Sequence, residues 1–245
     1  MLIRSVDFEF TGEPTEEDPH AVIEVGCCDI YVDSDGIEII RPWSMIVNPG
    51  RPIPHASRAV HHISDEEAAA GGQASTAYLR LMGNTPEAPR PDYFCSHNVT
   101  AEQGFFKGGD IPWICTYRAA LRLWEDEESH KLQNLRYSLG LEIDHRLGLP
   151  AHRAGPDAYV GAGLMAAIIE RKMNQVDLAT LVRWSKGAPL FTKLSFGKHK
   201  GQRFDEVPLD YLYWIIDKSD MAADIKKNAR HWIKQRSNQD ERRSA

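Results

Sequence analysis

The sequence predicts an α/β fold, with a mixed sheet of five strands flanked by helices and followed by a small C-terminal α+β appendage. Residues 2–10 alternate apolar and polar side chains, which is the period-two pattern of a strand. Residues 20–32 and 37–47 are two further β-type runs, joined by an Asp-Gly step that signals a hairpin. Two short apolar runs, 93–96 and 113–115, each precede a helical stretch, as parallel strands do.

The composition indicates an ordinary globular protein. Its 245 residues suit one main domain with an appendage. Hydrophobic residues make up 42% and charged residues 26%, which excludes an intrinsically disordered chain. No apolar run approaches the ~18 residues of a membrane span, and residues 1–4 lead into a strand rather than a secretory apolar region. We therefore expect a cytoplasmic protein without a membrane partner.

Helices are predicted around and after the later strands. Ser64-Asp65-Glu66-Glu67 has the pattern of a capping box that begins a helix. Further helices are predicted at about 74–82, 116–124, 130–139, 157–172, 175–185, 208–217 and 221–236.

The pattern changes near residue 187. A strand at 190–196 and a basic turn at 197–201 follow the last helix of the main body. We therefore predict a first domain at residues 1–186 and a second, basic domain at residues 187–245.

Charge is distributed unevenly along the chain. Residues 1–182 carry 15 Lys+Arg and 27 Asp+Glu, whereas residues 183–245 carry 14 and 8. An acidic body is typical of a carboxylate metal site, and a basic end is typical of a polyanion partner. A basic end is equally often a solvated helix face, so charge alone leaves both interpretations open.

Two of the candidate site segments lie at strand ends. Asp7 and Glu9 are two apart on the first strand and share one face, with Cα atoms roughly 7 Å apart. They predict either a metal site or a solvent-facing acidic edge. Glu102 follows the strand at 93–96, at the end where open α/β sheets place ligands. His97 and Asn98, just before it, are equally consistent with turn and capping chemistry.

The third segment is a loop that leads into a helix. His152 lies on a Gly/Pro-containing loop five residues before Asp157. Asp157 is alternatively a favourable charge at a helix N-terminus, and His152 alternatively a solvated loop residue. Histidine is nevertheless well suited to take a proton from water near neutrality, and Mg²⁺ prefers hard oxygen ligands. Because two such ions stabilise both oxygens of a phosphodiester displacement, the three segments together predict hydrolysis of nucleic acid.

Two of these segments resemble motifs of the DEDDh 3′–5′ exonucleases. Asp7-Phe8-Glu9-Phe10-Thr11-Gly12 resembles their DxETTG motif, and the segment from His152 to Asp157 resembles their HxxxxD motif. The resemblance implies a ribonuclease H-like fold and a nucleoside 5′-monophosphate product. It implies that two divalent cations, Mg²⁺ or Mn²⁺, bind to Asp7, Glu9, Glu102 and Asp157, and that His152 is the general base. It also implies that the backbone around Thr11 and Gly12 lies against the 3′-terminal nucleotide, and we predict Phe10 and Asn98 as further substrate contacts.

The middle motif departs from the family pattern. The family pattern is HNAxFD, whereas His97-Asn98-Val99-Thr100-Ala101-Glu102 stands here, with Glu in place of Asp. We expect retained metal binding with altered geometry or ion preference, because Mg²⁺ tolerates little departure from octahedral coordination. Phe10 replaces the usual Thr, and either fills the core or alters how the terminal base is held.

The basic end of the chain combines charge with aromatic rings. Basic and aromatic side chains are interleaved between residues 191 and 203. They are Phe191, Lys193, Phe196, Lys198, His199, Lys200 and Arg203. Charge for phosphates and rings for stacking are the ingredients of single-strand binding, and we predict Lys198 and Lys200 as substrate contacts. The phenylalanines are alternatively the buried side of a small β unit.

Segments 113–124, 196–201 and 211–214 resemble the bacterial exodeoxyribonuclease X group. That resemblance implies DNA as the polymer, with single strands or 3′ overhangs preferred. The alternatives are an RNA-trimming enzyme of the oligoribonuclease or ribonuclease T type and, third, a catalytically weak nucleic-acid binding module. The oligomeric state stays open, with a homodimer as one option by analogy.

Overall fold

Six strands form one mixed sheet in a computed structural model that describes residues 1–12, 15–85, 87–218 and 220–244. The strands are β1 (Leu2–Phe10), β2 (Val22–Asp33), β3 (Gly36–Ile39), β4 (Trp43–Ile46), β5 (Tyr93–Ser96) and β6 (Trp113–Cys115). Their order is β3-β2-β1-β5-β6, with β4 also paired to β2. β1 runs antiparallel to β2 and parallel to β5, which is parallel to β6. The predicted mixed α/β sheet is confirmed.

The sheet has one strand more than the predicted five. The single strand predicted at 37–47 is divided into β3 and β4, with Ile40–Pro42 outside both. β3 pairs with the C-terminal end of β2, and β4 pairs with a more N-terminal part of β2. Pro42 has no backbone N–H to donate to a neighbouring strand, which accounts for the interruption.

Ten helices lie within the described residues. They are α1 (His55–His61), α2 (Asp65–Ala69), α3 (Ala74–Leu81), α4 (Val99–Phe105), α5 (Thr116–Leu123), α6 (Leu132–Ser138), α7 (Ala154–Lys172), α8 (Leu178–Lys186), α9 (Leu209–Asp217) and α10 (Ala223–Ser244). The predicted capping box is present, because Ser64 Oγ accepts from Glu67 N and the Glu67 carboxylate accepts from Ser64 N. α1 was not predicted. Among the residues that the structure describes, no helix is both long enough and apolar enough to cross a membrane.

α7 is a long helix that packs against the sheet. Almost all of its residues as far as Ile168 are buried, and it packs on β1 and β2. A Cβ atom on Gly26 of β2 would lie 2.2 Å from the carbonyl of Ala154, and one on Gly161 would lie 2.7 Å from Ser5 Oγ. Glycine at these positions therefore permits the close approach that sets the first turn of α7 against the middle of β2.

The chain divides into two compact units. The first comprises Met1–Tyr117 and Ser129–Ser185, and the second comprises Arg118–Glu128 and Lys186–Ala245. Residues 118–128, which are predicted as part of the first domain, thus group with the second unit. Within the second unit, ion pairs hold Lys193 to Asp126 and Arg203 to Glu125, which explains this grouping.

The second unit contains α9, α10 and a short hairpin. Leu194 N donates to Gln202 O, and Phe204 N donates to Thr192 O. The strand predicted at 190–196 is reduced to this pairing, which holds one β-bridge between Lys193 and Arg203. Two glycines with positive φ, Gly197 at +67° and Gly201 at +86°, let the basic turn double back so tightly.

Candidate active site

Three carboxylates converge at one place in the first unit. Asp7 and Glu9 project from β1, and Asp157 projects from the first turns of α7. One oxygen from each lies within 4.8 Å of the other two. The structure therefore brings together three of the four predicted metal ligands, although they come from elements about 150 residues apart in the chain.

The surroundings of this cluster raise the pKa values of its three carboxyl groups. Burial is the largest cause that raises the pKa of each of the three carboxyl groups. The charges of Asp157 and Glu9 further raise the pKa of Asp7, and the charges of Asp157 and Glu24 contribute to a pKa of about 8 for Glu9. Carboxylates crowded in this way are stabilised in their charged form by a cation, so the cluster has the chemistry of a metal site.

Asp157 is held in place by two hydrogen bonds. Gln133 Nε2 donates to Asp157 Oδ1 over 2.6 Å, and the backbone N–H of His152 donates to Asp157 Oδ2 over 2.8 Å. His152 has φ +60°, a left-handed conformation that is uncommon for residues other than glycine. The loop that carries the predicted general base therefore also orients a predicted metal ligand.

Glu102 lies beside the cluster without joining the group of three. It is 4% exposed on α4, and its Oε2 accepts a hydrogen bond of 2.8 Å from Ser96 Oγ. Its charge nevertheless contributes to the raised pKa values of Asp7 and Glu9. Glu102 is thus close enough to act on the site electrostatically.

A cleft of about 440 Å³ opens over these groups. Its lining residues are Asp7, Phe8, Glu9, Phe10, Gly12, Ala56, Ser57, Val60, His61, Asn98, Ala101, Glu102, His152 and Asp157. Every site residue predicted in the first domain lines the cleft except Thr11. A larger cavity of about 590 Å³, between β3 and α7, contains none of them.

The predicted substrate-contacting residues at and just after the end of β1 differ in how they are placed. Phe10 lines the cleft and stacks on Phe105 with ring centroids 5.3 Å apart, so it both packs the core and forms part of the wall. Thr11 is buried, and its hydroxyl accepts from Ala21 N, so its side chain does not line the cleft. Gly12 does line it, and a Cβ there would lie 2.4 Å from the ring of His20.

The two residues that precede α4 have different roles. Asn98 is exposed, lines the cleft and makes no capping hydrogen bond with its side chain. His97 instead interacts with the carbonyl of His130 through Nε2 at 2.8 Å and with Thr116 Oγ1 through Nδ1 at 3.1 Å. Burial lowers the pKa of His97 to about 4, and both nitrogens of its neutral ring are engaged by Thr116 and His130.

Sequence reasoning missed Glu24, which organises the loop behind the site. This carboxylate is 1% exposed and accepts hydrogen bonds from Arg153 Nε at 2.8 Å, Arg153 Nη2 at 3.1 Å, Ala154 N at 3.0 Å and Ser44 Oγ at 3.0 Å. An acid between the apolar residues Ile23 and Val25 was the signal in the sequence, and the structure pairs this acid with Glu9 of β1.

Sequence reasoning also missed α1 and its His61. This side chain is 2% exposed and lines the cleft, and its Nδ1 accepts from Ile63 N at 3.0 Å. Among the described residues, its Nε2 is buried without a hydrogen-bond partner. With Nδ1 acting as an acceptor, the neutral ring carries its proton on Nε2 and thus holds an unused donor at the cleft wall.

In the second unit, the predicted basic contacts are not equivalent. Lys193 pairs with Asp126, and Arg203 pairs with Glu125 and Asp205. Lys198 and Lys200 are exposed, and the ion pairs of the described residues do not include them. The rings of Phe191 and Phe196 pack on the core of this unit, as the alternative interpretation of the sequence held.

Comparison with known proteins connects this arrangement to nucleases. A family model described as "Exonuclease" (RNase_T) matches residues 5–165. Exodeoxyribonuclease 10 of Escherichia coli (strain K12) is 25% identical over 238 residues, which cover 95% of this chain and 99% of that protein.

Two solved structures share the fold. Exonuclease X in complex with 5′-overhanging duplex DNA has a TM-score of 0.59 at 22% identity, covering 75% of this chain and 99% of that one. The nuclease domain of 3′hExo, described as a DEDDh family member bound to rAMP, has a TM-score of 0.54 at 15% identity, covering 70% and 92%.

Proposed function

The chain belongs to the exonuclease family and is a metal-dependent 3′–5′ exonuclease of nucleic acid, and we propose that it hydrolyses DNA to 5′-mononucleotides by a two-metal mechanism. We propose single strands and 3′ overhangs as the preferred ends. The convergence of Asp7, Glu9 and Asp157 at the floor of the cleft is the observation that carries this proposal.

The donor set fits divalent cations. Asp7, Glu9 and Asp157 would bind the ions directly, and Glu102 would complete the site from α4. All four provide hard carboxylate oxygens, the ligands preferred by Mg²⁺ and Mn²⁺. When bound, the two ions would supply positive charge for the attacking and leaving oxygens of the phosphodiester. Crowding of buried negative charge at Asp7 and Glu9 supports this assignment.

The chain's own residues would carry the remaining steps. The His152 imidazole would accept a proton from the water whose oxygen attacks the terminal phosphorus, and the 3′ oxygen of the preceding nucleotide would leave. Gly12 and Phe10 would lie against the terminal nucleotide, with the buried Thr11 holding that backbone in position. Asn98, whose amide is not used for capping, would contact the substrate from the opposite wall.

DNA is proposed as the polymer because the relative named an exodeoxyribonuclease is matched over 95% of this chain. We propose an exonuclease domain at 1–186 and a basic domain at 187–245, with Arg118–Glu128 grouped in the same compact unit as the basic domain, and with Lys198 and Lys200 as substrate contacts. Both lysines are exposed, and the described ion pairs leave them uncompensated, which supports that role.

Hydrolysis of 5′-labelled strands tests the proposal. Single-stranded DNA, duplex DNA and RNA of matched sequence are each incubated with Mg²⁺ or Mn²⁺. We expect a descending ladder on single-stranded DNA, with nucleoside 5′-monophosphate as the released product. Asp7→Asn, which keeps the shape of the side chain and removes its charge, should abolish the ladder. Glu38→Gln, at an exposed position on β3, is the matched control and should retain it.

The same assay separates the alternatives. Faster shortening of RNA than of DNA would replace the proposal with an RNA-trimming enzyme. Binding of all three polymers without turnover, under both ions, would indicate a binding module instead.

A further inference from the structure

The second unit presents an aromatic surface that the proposed reaction does not use. In α9, Leu212 and Ile215 are buried and pack with Leu194 and Phe204. Tyr211 and Trp214, three positions apart, therefore share another face of the helix. Their rings stack with centroids 5.2 Å apart and planes at 24°. Trp214 is 40% exposed.

The basic turn is fitted onto this surface. A Cβ atom on Gly197 would lie 2.2 Å from the Tyr211 hydroxyl, so any other residue at this position would displace the Tyr211 side chain or the turn. The His199 ring meets the Tyr211 ring edge-on at 4.7 Å, and Lys198 Nζ lies 5.2 Å from the centre of the same ring. We call His199, Tyr211 and Trp214 the aromatic platform.

The charges beside the platform are positive and uncompensated. Lys193 and Arg203, on the two arms of the hairpin, are each paired with acids of the same unit. Lys198 and Lys200, on the turn between those arms, are exposed and do not belong to any ion pair of the described residues. The unit thus neutralises the cations at the base of the hairpin and leaves those at its tip available to an anionic partner.

We infer that the aromatic platform, with Lys198 and Lys200, is a binding site for single-stranded nucleic acid. A base stacks on the exposed Trp214 ring, which Tyr211 supports, and the two lysines contact adjacent phosphates. Stacking rings beside unpaired cations are the recognition chemistry of unpaired strands, because every base offers a π-face and every linkage a charge. The inference rests on the proposed function for the class of polymer, but binding here does not require hydrolysis.

Binding without turnover tests the inference. The full chain is titrated into fluorescently labelled oligothymidylate or oligouridylate in EDTA, and anisotropy gives Kd at several salt concentrations. We expect Trp214→Ala to weaken binding of both polymers about tenfold or more, and Trp214→Phe to retain most of it. Replacing Lys198 and Lys200 together by Gln should reduce the slope of log Kd against log salt by about 1.4.

Matched controls come from the same unit. Tyr213→Ala removes an exposed ring from the same helix, outside the platform, and Arg230→Gln removes an exposed charge from α10. Both should bind as the parent protein does. Thermal unfolding shows whether each variant is folded. If Trp214→Ala is not folded, the Kd of Trp214→Phe and the salt slope of the lysine variant test the site instead.

Different results would contradict the platform site and the proposed nuclease activity. Unchanged Kd in Trp214→Ala and an unchanged salt slope in the lysine variant would overturn the platform site, even if the chain degrades DNA. Weakened binding in those variants, in a chain that shows no hydrolysis under either ion, would support the platform and contradict the proposed nuclease.

Discussion

Ser96 Oγ donates a hydrogen bond of 2.8 Å to Glu102 Oε2, and both side chains are almost completely buried. Glu102 occupies a position where Asp is usual in the resembling motif, and its carboxylate is therefore carried one methylene further. The Ser96 hydroxyl fixes that longer side chain, so the two residues act as a pair.

We predict that Ser96→Ala raises the divalent-ion concentration needed for half-maximal activity by about tenfold, because a buried hydrogen bond to a charged group is lost. Glu102→Asp should retain activity, whereas Glu102→Gln should impair it. Ion titrations of the initial rate measure both effects. Ser75→Ala, at an exposed hydroxyl on α3, is the control. Equal ion requirements in all four variants would remove Glu102 from the site.

The crowded carboxyl groups make the metal-free protein sensitive to pH. Glu9 has a pKa of about 8, above its ordinary value of 4.5, so the folded state binds more protons than the unfolded state between these values. Stability contributed by this group is therefore present at low pH and lost as pH rises through about 8. The lowered pKa of His97, about 4, has the opposite effect on stability, but only below the ordinary histidine pKa of 6.5.

We accordingly predict that, in EDTA, Glu9 lowers the free energy of unfolding by about 2 kcal/mol as pH rises from about 6.5 to about 8. Adding Mg²⁺ or Mn²⁺ should raise Tm more at the upper end of this window than at the lower. Glu9→Gln should flatten the metal-free profile. A metal-free Tm that rises across the window, in the parent protein, would contradict the prediction.

The Glu24–Arg153 ion pair is predicted to be the structural support of the catalytic loop. Glu24→Ala leaves Arg153 and the N–H of Ala154 without their acceptor, and we expect a loss of about 1–3 kcal/mol in unfolding stability, because Arg153 keeps partial access to water. Chemical denaturation measures this loss. The exposed pair of Arg51 and Asp18 is the comparison, and Arg51→Ala should change stability little. Similar losses in both variants would show that burial of Glu24 is unimportant.

His61 is predicted to contact the terminal nucleotide through its unused Nε2–H. We expect His61→Phe to raise KM for an oligonucleotide by about tenfold with a smaller change in kcat, because a donor to bound substrate is removed. Stability should change little, since the lost Ile63 hydrogen bond is offset by removal of an unpaired polar atom. His62→Ala, at the exposed neighbouring position, should behave as the parent protein. A drop in Tm with unchanged KM would make His61 purely structural.

The parts of the fold that sequence predicted are those with a strong local signal. The alternation at residues 2–10, the capping box at Ser64 and the buried runs of β5 and β6 all lie where predicted. α1 was missed because its seven residues, HASRAVH, have one buried side chain and no capping group. The division of β3 from β4 depends on which parts of β2 each strand meets, and that register is a tertiary property.

The residues of the candidate site were likewise predicted where the signal is local in sequence and missed where it depends on the tertiary structure. Asp7, Glu9 and Asp157 were predicted from motif spacing, because their types are dictated by chemistry. Glu24 and His61 were missed, since their importance arises from what lies opposite them in space. In the tail, spacing did not distinguish Lys193, whose charge is compensated by Asp126, from Lys198, which is exposed at the turn.

The distance in sequence between β1 and the first turn of α7 has a consequence for the cell that makes this chain. A nascent or truncated polypeptide that ends before Asp157 has Asp7 and Glu9 but not the third carboxylate of the cluster. The carboxylate cluster is therefore assembled only after the chain has been synthesised as far as α7 and that helix has packed on β1. Chains that end before α7 therefore lack the complete carboxylate cluster, even though they contain all of β1.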